Sequence, residues 1–331
     1  MSQHSFETFF DYHFEKLSLS ECIPWMTVGL VESIAIVTIN LCAIIVFIKK
    51  PDFRMRSTHL LINLAVIDML AGGFVMYGLF YSVGTFCDVW NSHLNEGWAN
   101  DIPDTSSQFF PISSLSNITI IALERMHATY RPFMHRLLKK SVYGIIIAVV
   151  WVTTSFVVIG HTLLVQYGEH STRYFLLISF IGLCLLIIFV SYVSIVIKVR
   201  WGAQLQRHGA ASRERKLTMT LLIVTVVSLL LYLPFIILRS VFSSEVKKDL
   251  SFSEYFHLFN VMLAFYYANH LVNPILYAIR KPEYRSAVLA LFRNRPQRER
   301  RVADLPLRDK EIMGSNNIRL LSIKYLDKTS S

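Results

Sequence analysis

The chain has 331 residues, of which 53% are hydrophobic and only 17% are Asp, Glu, Lys or Arg. A soluble domain has about a quarter charged residues, so this composition excludes a soluble enzyme, a nucleic-acid-binding protein and a disordered scaffold. The formal net charge is +10, and the placement of the basic residues described below explains it without nucleic acid as a partner. We therefore predict a polytopic membrane protein.

Seven long apolar segments follow one another along the chain. A helix needs about 20 mostly apolar residues to cross a bilayer, and each segment has about that length and at most one charged residue. Backbone amides inside hydrocarbon must be satisfied within their own segment, so each segment is predicted to be a helix. The predicted fold class is an all-α membrane protein, a seven-transmembrane helix bundle. We number the segments spans 1 to 7, and in chain order they are residues 25–48, 60–86, 105–123, 141–168, 174–197, 217–238 and 255–279.

The basic residues are concentrated on one side of these spans. Of the 33 Lys and Arg residues, 28 lie in the loops after spans 1, 3 and 5 or in the tail, and the other five lie on the opposite side. Loops rich in Lys and Arg stay in the cytoplasm, where anionic membrane lipid attracts them. The sequence thus predicts a multi-pass protein of the plasma membrane, with residues 1–24 outside the cell and the tail inside.

A short amphipathic segment follows span 7. Pro282 suits the first turn of a helix, and four apolar residues after it share one face at helical spacing. Residues 282–293 are therefore predicted to form a short interfacial eighth helix along the inner leaflet, after a seven-helix domain of residues 25–281. The charged segment 294–331 is predicted to be a flexible cytoplasmic tail.

The four cysteines differ in depth. Cys42 and Cys184 fall in the middle of spans 1 and 5 and are predicted to be buried apolar residues. Cys22 precedes span 1 and Cys87 follows span 2, so both face the oxidising side of the membrane. A disulfide between Cys22 and Cys87 is compatible with that placement, although spacing alone does not establish the bond.

Several spans contain polar side chains that are costly inside a bilayer. An isolated Asp68 facing lipid would cost roughly 3 kcal/mol, so these groups are predicted to face one another inside the bundle. Two interpretations follow: a structural network that fixes helix packing, or a switch sensitive to sodium or protons. A sodium ion is thus the only cofactor considered, and no other metal is predicted. The network residues are Asn40, Asp68, Ser114, Asn269 and Asn273.

Motifs at the ends of the spans carry a family resemblance. Glu124-Arg125-Met126 ends span 3, and Asn273-Pro274-Ile275-Leu276-Tyr277 ends span 7. Together with residues on other spans, these motifs resemble those of rhodopsin-like (class A) G-protein-coupled receptors, and the likeness covers about residues 25–293. The further matching positions are Asn40, the segment from Leu64 to Asp68, Pro132, Trp151, Tyr192 and the segment from Leu231 to Pro234.

The resemblance implies a receptor, not an enzyme, that passes an extracellular ligand signal to heterotrimeric G proteins by outward movement of span 6. It implies a latch in the inactive state, in which Arg125, next to Glu124, pairs with Glu214 at the start of span 6. A solvated salt bridge worth under about 1 kcal/mol is the alternative for that pair. Tyr192 and Tyr277 would support Arg125 in the active state. The residues implied as hinges of spans 6 and 7 are Tyr232, Pro234 and Pro274.

Some positions depart from the family pattern. Asn100 replaces the cysteine usual at the top of span 3, Cys184 replaces the usual proline of span 5, and the loop after span 4 is short. These departures are similar to those of melanocortin-type receptors, and Asp104 matches an acid that such receptors use for a basic peptide. However, Asn100 and Gly78 stand where those receptors have two further acids. The resemblance is therefore to a divergent orphan, a receptor whose ligand the sequence does not identify.

The ligand, a peptide or a small molecule, is expected between the outer halves of spans 3, 5, 6 and 7. Ser107 stands where aminergic receptors have an aspartate, which disfavours a monoamine. Packing between helices is the competing interpretation for every candidate residue. The pocket candidates are Asp104, Ser107, Gln108, Tyr232, Phe235 and Leu263.

A seven-helix transporter or channel without G-protein coupling is the alternative function. Transporters are commonly built from two related halves with broken helices at mid-membrane. This sequence has no internal repeat, and seven spans do not divide into equal halves. The histidines at positions 161, 257 and 270 are dispersed, whereas a catalytic metal needs clustered ligands. We expect His270 to serve helix packing.

Overall fold

The computed structural model describes part of the chain, and within that part every regular element is a helix and no strand occurs. The predicted all-α fold class is therefore confirmed. The described residues are 17–49, 58–87, 98–167, 175–202, 223, 226–228, 230–232, 234, 251–280 and 282–292. In chain order the helices are α1 (Leu19–Lys49), α2 (Thr58–Phe86), α3 (Trp98–Tyr130), α4 (Pro132–Leu137), α5 (Lys140–Tyr167), α6 (Phe175–Gly202), α7 (Phe252–Arg280) and α8 (Pro282–Phe292).

These helices coincide with the predicted spans. Spans 1, 2 and 3 are α1, α2 and α3, spans 4 and 5 are α5 and α6, and span 7 is α7. The described residues of span 6, between positions 223 and 234, are also helical. Within the described ranges, α1, α2, α5 and α6 are long and apolar enough to cross a membrane, whereas α3 and α7 carry more polar side chains. α8 matches the predicted eighth helix, and α4 is a short loop helix that was not predicted.

α3 lies at the centre of the helix packing. It packs against α2, α5 and α6, while α7 packs against α1 and α2. One apolar core joins four helices and includes Leu64 of α2, Leu115 of α3, Tyr143 of α5 and Ile188 of α6. Large apolar side chains such as Phe156 of α5 are exposed on the outside, as expected where side chains meet lipid tails rather than water.

Two contacts tie the amino-terminal end of α1 to its neighbours. A disulfide joins Cys22 of α1 to Cys87, which directly follows α2. The Trp25 indole N–H donates to His257 Nδ1 of α7 at 2.8 Å. α1 is thereby fastened to α2 and α7.

The chain divides into two compact units, residues 1–285 and 286–331. The first unit contains α1 to α7 and the start of α8. Of the second unit the structure describes residues 286–292, the remainder of α8. The predicted segment boundaries at residues 24, 281 and 293 stay predictions.

α1 and α2 meet in a close contact at Gly72. The Ser33 hydroxyl of α1 donates to the Gly72 carbonyl at 2.6 Å. A Cβ added at Gly72 would lie 2.8 Å from Ile36 Cγ2 and 3.0 Å from Val37 Cγ2, and Ile36 is fully buried. Small residues permit such contacts in membranes, where van der Waals packing rather than water expulsion holds helices together.

Replacing Gly72 by Ala is expected to destabilise the protein by about 1–3 kcal/mol, the usual cost of overpacking, because the buried Ile36 must shift. Gly73 is a matched control, since a Cβ there would meet nothing within 4 Å. Thermal unfolding of the purified protein in detergent should give a lower midpoint for Gly72→Ala than for Gly73→Ala. Equal midpoints would contradict the close contact.

Candidate functional site

The Asp68 carboxylate lies at the centre of a buried polar network between α2, α3 and α7. Its side chain is fully buried. Oδ1 accepts hydrogen bonds from the Ser114 hydroxyl at 3.0 Å and from His270 Nδ1 at 2.7 Å. Oδ2 accepts from the Asn273 side-chain amide at 2.8 Å. Because a buried charge without partners is costly, these three donors explain how α2 can carry an acid at this depth.

Asn40 and Asn269 extend this network to α1 and span 6. Asn40 Nδ2 donates to the His270 backbone carbonyl at 2.9 Å, which fastens α1 to α7. Asn269 Nδ2 donates to the Tyr232 hydroxyl at 2.5 Å, and that hydroxyl donates to the Pro111 carbonyl of α3 at 3.4 Å. The structure thus brings all five predicted network residues into one connected region.

His270 is the member of this network that the sequence analysis missed. Its imidazole is fully buried and binds Asp68 directly, beyond the packing role expected for it. Its ring also stacks on Tyr267, with 6.5 Å between the ring centroids. His270 precedes Asn273 by three residues, which places both side chains on one helix face. That spacing is the signal that could have identified it.

A sodium ion is one of the interpretations given above for this network, and it stays a prediction; the contact of His270 with Asp68 argues against it. A hard cation takes oxygen ligands and needs a carboxylate oxygen that is open to it. Both Asp68 oxygens already accept from protein donors, and His270 directs a nitrogen at Oδ1. A cation approaching that oxygen meets the positive end of the N–H dipole. As placed, these residues do not fit a sodium ion.

A second chain of side-chain amides links α2, α3 and α5. The Trp151 indole donates to Asn63 Oδ1 at 3.1 Å, and Asn63 Nδ2 donates to Asn117 Oδ1 at 3.1 Å. Asn117 Nδ2 in turn donates to the Leu60 carbonyl at 2.9 Å. Trp151 is one of the positions that carry the family resemblance, and here it helps to hold three helices together.

At the carboxyl-terminal end of α3, Glu124 binds Arg125 and two further side chains. Arg125 Nε donates to Glu124 Oε2 at 2.6 Å. The other carboxylate oxygen lies 2.6 Å from His135 Nε2 of α4 and accepts from the Tyr143 hydroxyl of α5 at 3.4 Å. The Glu124 and Arg125 side chains are 6% and 13% exposed. The ion pair is thus shielded from solvent although it lies near a helix end.

His135 and Tyr143 were not predicted as site residues. α4 positions His135, and its first residue, Pro132, suits the first turn of a helix. Both side chains reach Glu124 from elements other than α3. No spacing along one helix relates them to Glu124, so no sequence pattern could have identified them.

The other residues predicted to act with Arg125 are described in part. Glu214, the predicted latch partner, lies outside the described residues, so that contact stays a prediction. Tyr192 is buried in the core between α3 and α6. Tyr277 is buried and packs its ring against Phe47 and Tyr284, with centroids 5.9 and 6.0 Å apart. Burial raises the pKa of the Tyr284 phenol, so this ring stays neutral.

The three predicted hinge residues lie in helical segments. Pro274 is buried inside α7, and Tyr232 and Pro234 lie in the described part of span 6. A proline leaves the carbonyl one turn before it without its backbone hydrogen bond. Both helices therefore contain a point at which bending is easier.

The predicted ligand pocket is described in part. Tyr232 and Ser107 are joined through Tyr266 of α7, which was not predicted. The Tyr266 hydroxyl donates to the Ser107 carbonyl at 3.0 Å, and its ring lies 5.3 Å from that of Tyr232. Gln108 and Leu263 are half-buried. The structure does not describe the side chains of the other two candidates, Asp104 and Phe235.

Replacing Ser114 by Ala removes one of the three donors to Asp68, and we expect it to destabilise the protein by about 1–3 kcal/mol. Ser113 is a matched control, because it is also fully buried on α3 and its hydroxyl has no hydrogen-bond partner among the described residues. Chemical unfolding in detergent compares the two variants. A loss for Ser113→Ala as large as that for Ser114→Ala would count against the Asp68 network.

The sequence matches the family described as "7 transmembrane receptor (rhodopsin family)" over residues 39–277. The matched range is well over half of the chain. It begins within α1, ends within α7, and contains both the Asp68 network and the pair of Glu124 and Arg125. No individual curated protein matches the sequence.

Proposed function

This chain belongs to the rhodopsin family of seven-transmembrane receptors, and from that membership we propose that it passes an extracellular ligand signal to heterotrimeric G proteins. The family makes it a multi-pass membrane receptor, and members of the family are as a rule not enzymes. The proposal adds a ligand at the outer ends of the spans, a G protein at the inner ends, and outward movement of span 6 between them. The family match does not favour the transporter or channel.

We propose that the amino terminus lies outside the cell and that the end of α3 carrying Arg125 lies at the cytoplasmic face of the plasma membrane. The asymmetry of 28 among 33 Lys and Arg residues supports this orientation. The bond between Cys22 and Cys87 then lies on the oxidising side, where disulfides persist. These two lines of support are independent and agree.

The observation that carries the proposal is the shielded ion pair between Arg125 and Glu124. Arg125 carries a positive charge, and only 13% of its side chain is exposed, so it requires an anionic partner. Glu124 supplies that partner at 2.6 Å. The bond uses the Nε–H of Arg125, and the remaining guanidinium N–H groups are donors that a further partner could bind.

The energies involved suit a two-state switch. A hydrogen bond to a charged group is worth about 1.5–3 kcal/mol, and about 1.4 kcal/mol changes an equilibrium tenfold. Losing one such bond would change the equilibrium constant between the inactive and active states by roughly one to two orders of magnitude. We infer that Glu214 is the second partner of Arg125. Outward movement of span 6 would separate the two and open a cavity for the carboxyl-terminal helix of Gα, with Tyr192 and Tyr277 turning toward Arg125.

Ligand binding would reach span 6 through Tyr232. Its hydroxyl binds Asn269 and its ring packs on Tyr266, so Tyr232 links span 6 to α7 just before the Pro234 hinge. A ligand that displaced Tyr232 would release span 6 from α7 at this point. The melanocortin-like departures and the acid at Asp104 support a basic ligand, whether peptide or small molecule.

Arg125→Ala is expected to abolish G-protein activation, because Arg125 is the cation that Glu124 holds in the shielded pair. The measurement is ligand-free GTPγS binding to purified Gα of several families, in the wild type and in a Glu214→Ala background. Arg131→Ala is the control, since Arg131 is an exposed arginine that directly follows α3, and we expect it to be dispensable for G-protein activation. Equal loss in both variants at equal surface expression would contradict a specific role for Arg125.

Removing Glu124, or the inferred second partner Glu214, is expected to raise basal signalling about tenfold or more, as the bond energy above implies. Glu124→Gln and Glu214→Ala are assayed separately for ligand-free nucleotide exchange. Glu254→Gln is the control, because its carboxylate binds Ser251 at the far end of α7. Unchanged basal exchange in Glu214→Ala would remove that residue from the latch, and unchanged exchange in both variants would remove the latch itself.

A further inference from the structure

Among the described residues, three side chains donate to Asp68, and His270 is the one that has no oxygen atom to offer a cation. Ser114 carries a hydroxyl oxygen, and Asn273 carries an amide oxygen beside the nitrogen that donates to Oδ2. Hard cations such as sodium select carboxylate, carbonyl and hydroxyl oxygens. Rotation could turn the Asn273 amide oxygen toward a cation, whereas no rotation of the imidazole can supply an oxygen.

The imidazole is held firmly at Asp68. Nδ1 lies 2.7 Å from Oδ1, and neither side chain is exposed. The Asn40 amide binds the His270 backbone carbonyl at 2.9 Å, which fixes this turn of α7 against α1. On its other side the ring stacks on Tyr267. The N–H therefore occupies the approach to the Asp68 oxygen from α7.

Three amide oxygens of the network are left unused. Oδ1 of Asn40, of Asn269 and of Asn273 are buried and have no hydrogen-bond partner within the described part of the chain. Unpaired buried oxygens are uncommon in folded proteins and call for an explanation. Asn273 is already in contact with Asp68 through its amide nitrogen, so its unused oxygen belongs to a side chain that lies next to the carboxylate.

We propose that the His270 imidazole takes the place of a sodium ion at Asp68 and thereby keeps such a cation from the carboxylate. The wild-type protein then binds no sodium at this position, and the partner of the buried acid comes from within the chain. Contact of α2 with α7 therefore does not depend on the sodium concentration outside the cell. The inference does not require G-protein coupling.

Thermal unfolding of the purified full-length protein in detergent tests this proposal, with NaCl compared with equal concentrations of KCl and choline chloride. For the wild type we expect one midpoint in all three salts. For His270→Ser, which removes the imidazole and adds an oxygen, we expect a midpoint a few degrees higher in NaCl, because a ligand that binds only the folded state stabilises it. Adding Asp68→Asn to His270→Ser should abolish that rise.

His257→Ser is the matched control, because His257 lies on the same helix but binds Trp25 instead of Asp68; its midpoint should not respond to sodium. A wild-type midpoint that rises specifically in NaCl would overturn the proposal. So would a folded His270→Ser protein that unfolds at the same temperature in all three salts.

A second variant and a second measurement test the proposal even if His270→Ser does not fold. His270→Ala should show the same sodium response as His270→Ser. Sodium NMR line widths of the wild type and of Asp68→Asn should be equal, because neither protein holds the ion at this site. A broader line for the wild type would overturn the proposal without any substitution of His270. None of these readouts needs a G protein, so failure of the proposed signalling would leave them unchanged.

Discussion

A buried carboxylate inside a membrane has to find its hydrogen-bond partners in the protein, and here two helices provide them for a carboxylate on a third. Asp68 of α2 accepts from Ser114 of α3 and from His270 and Asn273 of α7. No water in hydrocarbon can replace a lost donor, so these bonds hold the three helices at one relative depth and rotation. Asn40 joins α1 to the same centre through the backbone of His270.

The pair of Glu124 and Arg125 is built differently. The two residues are neighbours on α3, so their bond alone fastens no helix to another. His135 of α4 and Tyr143 of α5 connect α3 to other helices, because both contact the second carboxylate oxygen of Glu124, Oε1. The pair also retains some exposure, 6% and 13%, whereas Asp68 has none. Asp68 thus fastens helices from a fully buried position, whereas the pair of Glu124 and Arg125 lies in a less buried position near the end of α3.

The amino-terminal end of α1 is fastened to two other helices. Asn100, at a position where the family usually has a cysteine, cannot form a disulfide. Cys22 and Cys87 instead bond α1 to the end of α2, and Trp25 binds His257 of α7. A covalent link between two helices that already pack against each other limits their relative movement.

Composition and spacing determined the seven helical spans and the set of polar residues turned inward, because a bilayer penalises charge and unpaired backbone at every position. Asp68, Ser114 and Asn273 could be predicted as partners for that reason. The contacts of His270, His135 and Tyr143 could not be predicted, nor could the short helix α4. Hydropathy and periodicity act along one helix, whereas these contacts depend on how different helices are rotated and at what depth they meet. Only the tertiary structure sets those relations, and it decided which atoms bind each buried charge.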